Sequence, residues 1–540
     1  MLEFDYVIIG AGSAGCVLAN RLSANPETSV ALIEAGKRDT NFMIHMPRGY
    51  GKTTAEPGES WHYFSQPEPF IENRQMLLPR GKGLGGSSNI NGMIYIRGQR
   101  ADYDIWSQLG ATGWGWDDVL PYFARSSTHA VERSGLYGDG PLWVEQTPER
   151  DTTSDAIIAA FNEIGVQTNP DFNGTEQDGV GYFHANIKDG KRWSAAKAYL
   201  HPVMDRTNLT VFTEAHAEQI TFEGKRANGL RFRDKRGKQQ ISARHEVILS
   251  AGAYQSPQLL QLSGIGPARH LQSLGVEIIA DRAQVGANLQ DHLIPPMAWK
   301  INRGAYSHNN ELKAPKVVWH VLRYLLTGRG PMAGPAAEVG AFVKSDPALD
   351  RPDIQFHCLP VSGDLEKASA GEKSQLQPHP GLSLAPYFLR PESRGSAMAG
   401  SPDPHVPPAI VHNYLQARED QQVTVKAMKI ARMVAATDIL KNLIVEETDP
   451  GASAQSDEEL LAFAQQYGMT GYHPVGTCRM GADENAVVDP QLRVKGVEGL
   501  RVIDASVMPR LISGNTHATT VMIAEKASDM ILANSQSART

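Results

Sequence analysis

The alternation of apolar and polar positions divides the chain into recognisable elements. At the N-terminus "YVII" is a short apolar run that breaks at Gly10, and Ala14, Val17, Leu18 and Leu22 follow at helical spacing. This pattern predicts a strand, a tight turn and a helix. "SVALIEAG", "EVILSAG" and "LRVID" read as further buried strands ending in loops. "DIQFHCLP", whose first residues alternate, and "GLSLAPYFLRP" predict strands of a second sheet. Val317, Val318, Val321, Leu322, Leu325 and Leu326 recur at helical spacing, and Gly328 and Gly330 stop that helix. Ser256-Pro257 looks like a helix start with Gly264 as its stop. Ser456 caps the helix "DEELLAFAQQ", and "ATTVMIAEKASDMILAN" predicts a last helix following His517. The polar stretch 362–381 reads as a loop, either a solvated insertion or a cover over the site.

No apolar run approaches the roughly 18–20 residues of a membrane span. A chain of 540 residues exceeds what one core organises, so two domains are expected. A net charge of −7 gives no footprint for nucleic acid. Cys16, Cys358 and Cys478 are too few and too scattered for a disulfide framework. The first residues lack a basic leader, so a cytoplasmic location is expected.

Gly10, Gly12 and Gly15 form GxGxxG between a strand and a helix, the context in which the motif binds a dinucleotide. The helix N-terminus offers free N–H groups to a pyrophosphate. Glu34, nineteen residues beyond Gly15, closes the second strand. Its carboxylate suits ribose hydroxyls and repels a 2′-phosphate, which favours FAD or NAD over NADP. The motif alone does not separate those two. "RGKGLGGSSNINGMIY" (80–95) is too glycine-rich for a helix or strand interior and suits a backbone wrapped round a ligand. Asp504, at the end of an apolar strand, needs donors around it if it is buried.

These stretches together resemble the glucose–methanol–choline (GMC) oxidoreductase family. "GKGLGGSSNINGMIY" and "GAYQSPQLLQLSGIG" are similar to its two signatures. "HPVGTCRMG" and "SGNTHATTVMIAEKASD" are similar to its catalytic region. The resemblance runs from residue 6 to about 530. It implies a fold of α/β and α+β character, with a Rossmann-like FAD-binding domain discontinuous in sequence (1–155, 200–295 and 465–540). A second, substrate-binding domain of antiparallel sheet plus helices would take 156–199 and 296–464. By motif position Gly10, Gly12 and Glu34 would contact the ADP half and Ala217 the adenine. Asn91, Gly92 and Met93 would approach the flavin, and Asp504 and Ala505 the pyrophosphate and ribityl chain. Ser13, Ala14, Gly15, Ala35, Gly81, Gly85, Gly86, Ser87, Ile94, Ala251, Ala518 and Thr519 complete the implied cofactor-binding set. Where some relatives attach the flavin through a histidine, this chain has Asn89, so FAD is expected to be held without a covalent bond.

His473, in "GYHPVGTCRMG", has no second ligand at metal-binding spacing. Its residues alone leave a catalytic base and a buried structural histidine both open. The resemblance implies the base, with His517 as its partner and the two roles exchangeable. The implied reaction is oxidation of a primary alcohol to an aldehyde, and possibly on to the acid, by proton abstraction and hydride transfer to the flavin. The electron acceptor is oxygen or a quinone-type carrier, and the oligomeric state is not encoded in any motif. A lyase on the same scaffold is one alternative, and an NAD-dependent dehydrogenase is another if only the first motif is trusted. Trp61, Tyr63, Tyr387, Phe388 and Tyr472 are candidate pocket walls. Glu338 faces either a cationic substrate or structural hydrogen-bond donors.

Overall fold

A computed structural model describes residues 2–131, 135–365, 367 and 376–537. The middle of the 362–381 loop, 366 and 368–375, lies outside the described residues. The strand Leu2–Ile9 is buried along its last six residues and runs parallel to Val30–Ile33 on one side and to Gly237–Leu249 on the other. Leu209–Phe212 and Leu500–Val502 extend the sheet in the same sense at its two flanks. These strands read as continuous apolar runs because helices cover both faces of a parallel sheet. The strands His216–Glu223 and Arg226–Asp234 are antiparallel additions on the long Gly237–Leu249 strand. Ser13–Leu22 and His517–Ser537 are the helices that meet at the top of this sheet.

The second sheet has six antiparallel strands, in the order Ile444–Asp449, Ala298–Ile301, Gly381–Phe388, Ile354–Leu359, Val339–Val343 and Gly179–Tyr182. Its core includes Trp299, Phe356 and Leu384, with Phe161, Met428 and Phe463 from the helices that back it. The two expected strands at 354–359 and 381–388 are neighbours here.

Two helices differ from the sequence expectation. The one predicted to begin at Ser256 begins at Gly252 and places Pro257 inside. Proline has no N–H for the carbonyl four residues back, that of Ala253. Thr477 supplies the missing donor, its Oγ1 lying 2.6 Å from the Ala253 oxygen. The helix Lys316–Thr327 forms where expected, but it is the polar His320 and the Tyr324 ring that are buried. Most of its apolar stripe faces outward.

Candidate active site

Three chain segments far apart in sequence converge on His473. Gly471 allows the closest approach: a Cβ there would lie 2.8 Å from the Cβ of His292. Tyr472 follows with a φ of +63°, a left-handed conformation that costs energy in a residue with a side chain and is typical of sites that aim a neighbour. The buried carboxylate of Asp291 ties the two histidine loops together. Its Oδ1 accepts the backbone N–H of His473 at 2.7 Å and of His292 at 2.9 Å. Its Oδ2 accepts the hydroxyls of Thr470 and Tyr414, each at 2.6 Å.

The histidine tautomers follow from their partners. His292 Nε2 lies 3.0 Å from the carbonyl oxygen of Leu389, which can only accept, so this nitrogen carries the proton. The Nδ1 of neutral His292 is then an acceptor. It meets Nδ1 of His473 at 2.9 Å, so His473 donates from Nδ1 and its Nε2 is left with a bare lone pair. Facing that lone pair at 3.0 Å is Nδ2 of Asn515. The Asn515 amide is oriented in turn by Gln355, whose Nε2 donates to its Oδ1 at 3.2 Å.

Burial drives the His473 pKa well below the ordinary imidazole value, and His292, His357 and Arg80 add to the effect. Burial also holds His292 and His357 down at about 4. The cluster is therefore neutral at physiological pH. Tyr387 packs against it, with its ring 4.9 Å from that of His292 and 6.3 Å from that of His473. Of the other aromatic candidates, Trp61 and Tyr63 stack on each other at 6.0 Å, and Phe388 is part of the second sheet's core.

The structure brings Asn515, not His517, to the lone pair of His473. His517 opens the last helix and bonds Ser13 Oγ through Nδ1 at 3.0 Å, so the N-termini of two helices meet there. Burial, with Arg192 nearby, lowers its pKa to about 4, and its Nε2 is buried without a partner. Asn515 and His517 are two residues apart, and His517 is the first residue of the last helix.

Several of the residues expected to hold a cofactor are joined by hydrogen bonds and close backbone contacts. Gly12 precedes a helix with no side-chain cap, and a Cβ built on it meets no atom within 4 Å. Its free N–H groups and open space fit a phosphate. Ala14 and Gly15 are buried in the first turn of that helix. Gly86 packs on Gly12 so closely that a Cβ would lie 2.7 Å from the Gly12 Cα, and Gly85 N–H bonds the Ala11 carbonyl. Gly81 N–H and Arg80 both bond the hydroxyl of Ser87.

Glu34 accepts N–H groups from Ala11, Gly36 and Gly83 at 2.8–3.0 Å, which joins the two glycine-rich segments on either side of Ala35. Gly10 sits against the Ser250 carbonyl. Ala251 leads into Gly252, whose N–H bonds Asp504 at 2.9 Å. Asp504 also accepts from Ser256 Oγ and Ser506 N–H, which supplies the donors its burial requires, with half-buried Ala505 beside it. Ala217 lies half-buried on the strand His216–Glu223. Ala518 is buried, and Thr519 Oγ1 bonds Tyr103 at 2.7 Å.

Asn91 Oδ1 accepts from the N–H of Met93, which has a φ of +64°, and Gly92 and Ile94 complete this stretch, with Gly92 against Ala336. Asn89 is buried and donates to the Leu84 carbonyl. Sequence reasoning passed over Arg192. Its guanidinium is buried, bonds Ile44, Ser88 and Asn91, pairs with no carboxylate among the described residues, and leaves Nη2 without a partner. An uncompensated buried cation beside two helix N-termini fits an anionic ligand. Glu338, by contrast, is already met by Arg48 and His308.

Comparison with known proteins identifies the family of the chain. Two models of the GMC oxidoreductase family match residues 4–294 and 391–524. An alcohol dehydrogenase [acceptor] of Pseudomonas putida is 41% identical over 98% of this chain and 96% of its own length. An oxygen-dependent choline dehydrogenase of Rhizobium etli is 39% identical over 100% of this chain and 97% of its own. Among solved structures, pyridoxine 4-oxidase from Mesorbium loti superposes with a TM-score of 0.88 at 31% identity, covering 97% of this chain and 98% of that one. With full-length relatives of this kind and both family models in order, the chain belongs to the GMC oxidoreductases, FAD-dependent enzymes that oxidise alcohols.

Proposed function

We propose that this protein oxidises an uncharged primary alcohol to its aldehyde, and on to the acid where the aldehyde hydrate rebinds, with His473 as the base. The observation that carries the reading is the His292–His473 contact, because it leaves a neutral imidazole with a bare Nε2 in a buried site. In this scheme the alcohol hydroxyl gives its proton to Nε2 of His473, and Asn515 Nδ2 donates a hydrogen bond to the alcohol oxygen as charge builds on it. FAD, bound without a covalent link, supplies the hydride acceptor. Arg192, His517, Ser13 and the N–H groups after Gly12 would hold its anionic part, and Asn91 to Ile94 would lie along its ring. Glu338 already has Arg48 as counter-charge, which favours an uncharged alcohol over a quaternary ammonium. Electrons would leave to oxygen or to a quinone-type carrier, from a cytoplasmic enzyme.

The test is anaerobic mixing of the flavin-loaded protein with aliphatic, aromatic and amino alcohols and choline, following flavin absorbance. Bleaching by uncharged alcohols ahead of choline is the expected result, and readmitted air then separates oxygen from a carrier as acceptor. A flavin that dithionite reduces but no alcohol bleaches would overturn the proposal.

A further inference from the structure

The helix Lys316–Thr327 sits on the molecule the wrong way round for a soluble surface. Val318, Trp319, Leu322, Leu325 and Leu326 lie along one side of it and are exposed, Trp319 at 64% and Leu326 at 83%. Phe42, also exposed, lies by the buried side of the helix, with its ring 6.3 Å from that of Tyr324. Single exposed apolar residues need no explanation, but a contiguous stripe that includes a tryptophan marks a surface meant to be covered. The outward orientation is fixed from beneath. Tyr324 packs with Met46, Met332 and Ala333, and His320 bonds Glu311 at 2.9 Å.

The charges around the stripe identify what covers it. Residues 303–329 carry five basic side chains, Arg303, Lys313, Lys316, Arg323 and Arg329, against one acid, Glu311, whereas the whole chain has a net charge of −7. Among the described residues only Lys316 and Arg323 meet carboxylates, those of Glu311 and Glu149. Tryptophan and leucine on one side of a short helix with lysine and arginine at its flanks is the arrangement of helices that lie in a bilayer interface. A second copy of the chain fits less well. A twofold contact through this face would set the basic rim against itself.

We infer that the exposed apolar face of the helix Lys316–Thr327 docks onto the surface of an anionic lipid bilayer. The bond from Arg48 Nε to the Pro331 carbonyl ties the turn beneath the helix to the segment that also carries Ile44, whose carbonyl holds Arg192.

The test is co-sedimentation of the flavin-loaded protein with vesicles of phosphatidylcholine alone and of phosphatidylcholine mixed with phosphatidylglycerol. The protein should pellet with the mixed vesicles at low salt, pellet less with the neutral ones, and be released as salt rises. Replacing Trp319, Leu322, Leu325 and Leu326 together by serine should lower the partition coefficient on the order of a hundredfold. Lys313→Gln and Arg329→Gln should each lower it about fivefold, and only on the anionic vesicles. All these variants should keep the flavin spectrum and its reduction by a soluble alcohol, showing that the fold is intact. Wild-type protein that stays in the supernatant with both vesicles would overturn the inference. So would a dimer, seen by light scattering, that the serine variant dissociates, because the face would then belong to a second copy.

Discussion

His473 can take a proton only while its Nε2 is bare, and in this molecule a second histidine enforces that state. The Leu389 carbonyl sets the His292 tautomer, and His292 in turn sets that of His473. Asn515 cannot serve as a base, yet its Nδ2 is placed to donate where the alcohol oxygen would sit. His517 faces Ser13, at the meeting of two helix N-termini. The two residues should therefore separate cleanly in kinetics. Asn515→Ala is expected to slow flavin reduction about 10²-fold, the usual loss on removing a donor to developing charge. His473→Ala should cost roughly 10²–10⁴-fold. His517→Ala should instead weaken FAD retention and leave the limiting reduction rate of the loaded enzyme within about an order of magnitude of wild type. Stopped-flow reduction and the ratio of flavin to protein absorbance read the two effects independently. A His517 variant that keeps its flavin but cannot be reduced would restore that residue to the catalytic role.

At the level of elements, the helix Gly252–Leu262 survives an internal proline only because Thr477 caps the orphaned Ala253 carbonyl. Thr477→Val keeps the shape and removes the donor, leaving a buried carbonyl unsatisfied. A loss of about 1–3 kcal/mol is expected in denaturant unfolding of the flavin-loaded protein. An unchanged midpoint would mean that water or a backbone shift replaces the hydroxyl. This pair also shows where sequence reading stops. The strand, glycine turn and helix at the N-terminus, and the apolar strands ending at Ile33, Leu249 and Val502, were legible because a buried parallel sheet writes itself as local runs. Thr477 and Ala253 are 224 residues apart, and His292 and His473 are 181 apart. No local period records such partners. The helix Lys316–Thr327 was legible as a helix, but periodicity gives the direction of an apolar stripe and not whether core or solvent lies opposite it. Asn515 was not singled out because the resemblance puts the partner position at His517, and nothing local in the sequence tells which of the two side chains will face His473.

Across the whole molecule, burying several neutral histidines in one place makes stability depend on pH over a defined window. His292, His357 and His517 are each held at about 4, and His473 is driven down in the same direction, all chiefly by burial. In the unfolded chain these groups titrate near 6.5. Above that value both states are neutral and nothing is lost. As pH falls from about 6.5 to about 4, the unfolded state takes up protons that the folded state refuses, so stability drops, by up to about 1.4 kcal/mol per pH unit for each such group. The carboxylates held low by ion pairs act in a different range. Asp5, beside Arg244, and Asp483, at about 2 beside Arg479, stay ionised in the folded state and cost stability only as pH falls below the ordinary carboxylate range near 4. Between 6.5 and 4 the histidines lower stability. Glu34, Glu145, Asp151, Asp178 and Asp420 oppose them in part, because burial raises their carboxyl pKa values and the folded state takes up their protons first. Thermal unfolding of the flavin-loaded protein should show a melting temperature that is level above pH 7, falls steadily between 6.5 and 4, and is accompanied by flavin release. His357→Gln removes one of the refusing groups and should flatten that slope by one proton's worth without abolishing it. A melting temperature that holds constant from pH 7 to pH 5 would show that the cluster accepts protons while folded. The neutral resting state proposed for His473 would then be wrong as well.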